Sequence, residues 1–114
     1  MAKRDEILFL EEVYESIDLI EKYVSGLTEK EFEENTEKQD AVLRRIEIIG
    51  EAVKNLSQKT RSQYPDLPWK EMAGMRDVVI HQYFGVTIGM VWRVATSDLI
   101  LLRDRIKDII DDLK

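Results

Sequence analysis

From Ile7 to Leu113 the apolar residues of this chain recur three or four positions apart, interrupted only by short polar or proline-containing breaks. That period lines one face of a helix and cannot line one face of a strand. Ile7, Leu10, Tyr14, Ile17, Ile20, Val24 and Leu27 predict a first helix over about Lys3 to Ser25, stopped by Gly26. Thr28-Glu-Lys-Glu31 has the capping-box form, so a short helical turn through Phe32 and Glu34 follows, before Asn35 and Thr36 offer the next N-cap. Val42, Ile46, Ile49, Val53 and Leu56 predict a second long helix running to about Ser62, with Pro65 and Pro68 ending it. Pro68 suits the first position of a third, which carries Trp69, Met72, Ala73, Val79, Ile80 and Tyr83 on its apolar side and ends at Gly85. Thr87 caps the last, in which Ile88, Val91, Ala95, Leu99, Leu102, Ile106, Ile109 and Leu113 keep near-heptad spacing. The expected fold is all-α: an antiparallel bundle of four long helices plus a short connecting helix, in one domain over residues 1–114.

Composition narrows the chemistry. The chain contains no cysteine, which excludes a thiol nucleophile, a thiolate zinc site, an iron–sulfur cluster and a disulfide framework. With a net charge of −6 it lacks the long-range attraction by which basic proteins gather nucleic acid, so any polyanion must be held by a local cluster of cations. No apolar run approaches the roughly 20 residues that cross a bilayer. The charged opening Met1-Ala-Lys-Arg-Asp-Glu6 carries no signal core, and the expected location is the cytoplasm.

One residue does not fit a plain bundle. The apolar stripe of the third helix passes through Arg76, where burial without a partner would be costly. The structural reading pairs this guanidinium with Glu47 or Glu51, or lets it snorkel to solvent; the functional reading makes it an anion-binding group in a pocket. His81 is the only histidine, too few for a multi-histidine zinc site but suited to general acid or base work. Asp77 precedes it by one turn, about 40° away round the axis, and can hydrogen-bond to it. Arg76 and His81 are about 140° apart on an ideal helix, so they converge only through the reach of arginine or through a second chain.

Arg76-Asp-Val-Val-Ile-His-Gln-Tyr83 resembles the Arg-x4-His-x-Tyr signature of HepT-type toxins in the HEPN superfamily. Gln39-Asp-Ala-Val-Leu-Arg-Arg45, Ile49-Gly-Glu-Ala52, Pro68-Trp69 and Gly74-Met75 are similar to that family's flanking segments, in the same order. Asp77 stands where many relatives carry Asn, and Ile100 replaces the proline that often follows Asp98-Leu99. The resemblance implies a HEPN-like, homodimeric endoribonuclease that needs no metal or cofactor. Its RNA substrate would be cut by the adjacent 2′-hydroxyl, with Arg76, Asp77 and His81 as catalytic residues. It also implies a partner, the MntA-like nucleotidyltransferase antitoxin, which transfers AMP to the signature tyrosine, here Tyr83.

Arg44 and Arg45 are candidate substrate contacts, against the plainer reading of a solvated helix face. Trp69, if exposed, could stack on a base; otherwise it is a packing anchor, as Trp92 is. Gly50 suits close helix packing. Two further functions stay open on the residues alone: a non-catalytic helical module that binds a nucleotidyltransferase or a nucleotide through Arg76, and a structural bundle in which Arg76 pairs with Glu51.

Overall fold

The computed structural model describes residues 2–81 and 88–114, with the backbone alone at 78–81. All regular structure among them is helical: α1 (Lys3–Val24), α2 (Glu29–Glu33), α3 (Thr36–Lys54), α4 (Gln58–Gln63), α5 (Trp69–His81), α6 (Ile88–Arg93), a π-helical turn (Val94–Asp98) and α7 (Ile100–Leu113). Helix α1 packs against α3 and α7, and α3 packs against α5. The fold is therefore an all-α bundle whose core is shared by Leu10, Val13 and Ile17 of α1, Val42, Ile46 and Ile49 of α3, Met72 of α5 and Ile106 and Ile109 of α7. Phe32 of α2 joins it through the ring of Trp92, 5.3 Å away between centroids.

The helix ends follow from local chemistry. Gly26 adopts φ +79°, where a side chain is disfavoured, and closes α1. Both halves of the capping box form: the Thr28 N–H donates to Glu31 Oε1 at 2.9 Å and the Glu31 N–H to Thr28 Oγ1 at 3.1 Å. Asn35 accepts the Lys38 N–H at 3.0 Å, and Gln39 Nε2 donates to the carbonyls of Phe32 and Glu33 at 2.9 Å each, fastening α2 to α3.

Two expectations are corrected. The second long helix does not run to Ser62; it stops at Lys54, and Gln58–Gln63 forms a separate helix. Leu56 turns into the core at 2% exposure, Ser57 Oγ accepts the Thr60 N–H at 3.1 Å to start α4, and the Ser57 N–H donates to Glu6 Oε1 at 3.0 Å. The last helix is not uninterrupted either. Its Leu99 N–H donates to Val94 O at 3.1 Å, five residues back, and Thr96 Oγ1 donates to Trp92 O at 2.7 Å. In an unbroken α-helix the four-residue steps Val91–Ala95–Leu99 would drift about 80° round the axis. The wider π turn takes up that drift and keeps all three buried. A smaller difference is at Pro68: its carbonyl accepts the Met72 N–H at 3.0 Å and Trp69 is the first helical residue, one position later than expected. The predicted stop at Gly85 and cap at Thr87 lie outside the described residues.

Candidate functional site

Helices α3 and α5 cross so closely that a Cβ on Gly50 would stand 2.5 Å from Cβ of Arg76, 3.1 Å from its backbone nitrogen and 3.3 Å from the Ala73 carbonyl. Only glycine admits this contact, which brings Arg76 against the adjacent turn of α3. There Arg76 Nε meets Glu51 Oε2 at 2.6 Å. On the next turn Lys54 Nζ donates to Asp77 Oδ1 at 2.8 Å, and Arg76 Nη1 lies 3.7 Å from that same oxygen. Two cations and two carboxylates, one of each from either helix, thus alternate along the groove.

Exposure decides what this cluster can do. The pairing with Glu51 is the one the structural reading expects, yet the Arg76 side chain remains 31% exposed and that of Glu51 55%. Ion pairs so open to water are worth about 0–1 kcal/mol. An incoming phosphate, which accepts two parallel N–H bonds from a guanidinium, can therefore compete for Arg76 at small cost.

The start of α5 is rigidly held. Trp69 is 6% exposed and its indole N–H donates to the Tyr64 carbonyl at 2.8 Å. The Tyr64 hydroxyl donates to Asp112 of α7, and Arg105 lies over the Tyr64 ring at 5.6 Å while binding Asp66 through Nε at 2.7 Å. Burial, with the neighbouring Asp112 carboxylate, pushes the Tyr64 phenol up to about 12. The loop before α5 is in this way tied to the last helix.

The structure brings together Arg76 and Asp77 and adds Glu51 and Lys54 to them. Lys54 was legible as a position, since it lies one turn beyond Gly50 on the same face of α3, but its pairing was not. His81 ends α5, one turn beyond Asp77; its side chain, and Tyr83 altogether, lie outside the described residues. Arg44 is exposed and lies 3.6 Å from Glu47, whereas Arg45 is half-buried with no ion pair among the described residues. Trp69 corrects an expectation: it is buried as a packing anchor, so it offers no free face for a base. Among the described residues no three His, Cys, Asp or Glu side chains gather as metal ligands, and no helix is long and apolar enough to cross a membrane.

The family model described as HepT-like ribonuclease matches residues 13–109. The chain is 46% identical over 97% of its length to a Methanocaldococcus jannaschii protein named as a gamma-glutamylcyclotransferase and candidate RNase, of which it spans 50%. It is 40% identical over its full length to a candidate RNase of the same organism, covering 94% of that protein. It is also 37% identical over 94% of its length to a "Probable ribonuclease HepT" of Thermococcus cleftensis, covering 97% of it. No solved structure gives a significant match.

Proposed function

Because the chain belongs to the HepT-like ribonuclease family, we propose that it is a metal-independent endoribonuclease toxin acting as a homodimer in the cytoplasm. The observation that carries this reading is Arg76. It is a guanidinium on an apolar stripe, pressed against α3 by the absence of a side chain at Gly50, yet still open to solvent.

The reaction needs a base for the ribose 2′-hydroxyl, an acid for the departing 5′-oxygen and a cation for the phosphoryl oxygens. His81 takes the 2′-hydroxyl proton; the 2′-oxygen bonds to phosphorus; the bond from phosphorus to the 5′-oxygen breaks; and that oxygen gains a proton. The products are a 2′,3′-cyclic phosphate and a 5′-hydroxyl end. One imidazole cannot be base and acid in the same step, and a dimer supplies a second His81 to give the proton. Arg76, exchanging Glu51 for phosphate, stabilises the charge that grows on the phosphoryl oxygens. Asp77 orients His81 from one turn away, and Lys54 balances the negative charge that Asp77 brings near the substrate.

Control falls to a nucleotidyltransferase antitoxin. The Tyr83 phenol oxygen attacks the α-phosphorus of ATP and pyrophosphate leaves. The AMP so attached, seven residues along the chain from Arg76, occupies the anion site and blocks RNA.

His81→Ala is expected to lose RNA cleavage and growth inhibition while folding and partner binding persist. If neither the parent protein nor the variant cleaves RNA, the non-catalytic binding module is the correct reading. Intact mass after incubation with the antitoxin and ATP checks the modification, and a Tyr83→Phe protein that still gains AMP mass would exclude Tyr83 as acceptor.

A further inference from the structure

Beside the ion-pair cluster, α3, α4 and α5 enclose a hollow of about 530 Å³. Among the described residues that line it, the charged ones are Lys54, Arg61, Lys70 and Asp77. Three cations against one carboxylate is an inversion of the chain as a whole, whose net charge is −6. We propose that this hollow binds backbone phosphates of the single-stranded RNA flanking the scissile bond, with Arg61 and Lys70 as substrate contacts. The proposal rests on the ribonuclease reading and adds to it where the substrate lies.

Each cation has spare capacity for an anion. Arg61 is half-buried and is anchored through Nη2 to the Leu56 carbonyl at 3.0 Å, its side chain's one hydrogen bond among the described residues. That single anchor leaves other N–H groups of the guanidinium for a phosphate oxygen entering the hollow. Lys70 is exposed in the first turn of α5, where the helix dipole favours carboxylates over cations, so helix stability does not account for it. Lys54 already screens the one carboxylate, donating to Asp77 at 2.8 Å.

The hollow also points the right way. Lys70, Gly74 and Asp77 follow one another at four- and three-residue steps along one face of α5, with Ala73 beside them, and the next position in that series is 81. From Lys70 to His81 the helix rises about 16 Å, enough to lead a strand past several phosphates into the signature end. A Cβ on Gly74 would meet nothing within 4 Å, so the floor of this path is open.

The test uses a single-stranded RNA with every ribose 2′-O-methylated, which can bind but cannot be cut, titrated by fluorescence anisotropy across a salt series. Lys70→Glu reverses a charge where a carboxylate suits the helix, and the exposed Lys22→Glu on α1 makes the same change in net charge away from the hollow. Lys70→Glu is expected to weaken binding about tenfold, to lower the salt slope by about 0.7 per lost phosphate contact, and with unmodified RNA to raise KM at unchanged kcat. Lys22→Glu is expected to do none of these. Equal effects of the two variants, or a parent protein that does not bind the methylated strand, overturn the proposal. Lys70-dependent binding by a protein that never cuts unmodified RNA refutes the ribonuclease reading and leaves the phosphate path standing.

Discussion

Glu6 and Arg76 both stand on helix faces that are otherwise apolar, and the bundle treats them in opposite ways. Glu6 lies four residues before Leu10 on the inner stripe of α1 and is 4% exposed. Its Oε1 accepts the Ser57 N–H at 3.0 Å and the Thr60 hydroxyl at 2.8 Å, so it joins α1 to the start of α4. Burial raises its pKa, but the hydrogen bonds from Ser57 and Thr60 outweigh that and hold it below the ordinary carboxylate value. Arg76, on α5, is met by two half-exposed carboxylates, Glu51 at 2.6 Å and Asp77 at 3.7 Å, and keeps nearly a third of its side chain in water. A buried charge held by a backbone N–H and a buried hydroxyl is part of the fold; a charge met by exposed side chains can change partners. The difference separates a structural ion from a working one.

The contrast is sharpest if each charge is removed and both activity and stability are read. Arg76→Gln is expected to lower RNA cleavage roughly 10²- to 10³-fold, the usual cost of losing one donor to a developing oxyanion. Its melting should shift by less than about 1 kcal/mol, because an exposed pair contributes little. A variant that cleaves normally would make Arg76 structural and dissolve the comparison. Glu6→Ala should do the reverse, destabilising by about 2–3 kcal/mol through two lost hydrogen bonds to a charged acceptor, with cleavage per folded molecule unchanged. Denaturant unfolding beside a single-turnover assay checks both halves.

Gly50→Ala couples stability to activity. Alanine favours a helix over glycine by about 0.5–1 kcal/mol, yet its Cβ must push α5 away at Arg76. A net loss of about 1–2 kcal/mol is expected, together with a fall in cleavage that Glu6→Ala does not show. The smallest effect is the pH dependence. The folded pKa of Glu6 is lowered, so its contribution is present above the unfolded carboxylate value and is lost as pH falls through the folded one. Melting temperatures from pH 3 to 7 should fall less steeply on the acid side in Glu6→Gln than in the parent protein, and parallel profiles would remove Glu6 from that role.

Much of this was legible beforehand, for identifiable reasons. The Thr28–Glu31 box and the Gly26 stop involve partners within one turn, so residue types at fixed offsets suffice. The glycine at position 50 could be read as a packing contact, and Glu51 as one of two acids within reach of Arg76. The burial of Glu6 gives no local signal beyond its spacing to Leu10, because the run Lys3-Arg-Asp-Glu6 has the composition of a solvated helix start. The break at Asn55–Ser57 escaped because Leu56 continues the apolar period while its backbone serves a different end, the capping of α4. The basic hollow escaped because Lys54, Arg61 and Lys70 come from three helices and form no run.

Amino-acid order alone settled that the chain is helical, which face most helices bury and that a guanidinium interrupts one of those faces, since these depend on neighbours a turn or two away. The three-dimensional packing decided the rest: the partner of Arg76, its openness to water, the burial of Trp69 and the π turn that realigns the last helix. Such properties arise from groups far apart in sequence, like Lys54 and Asp77 at a separation of 23, whose distance no local period can encode.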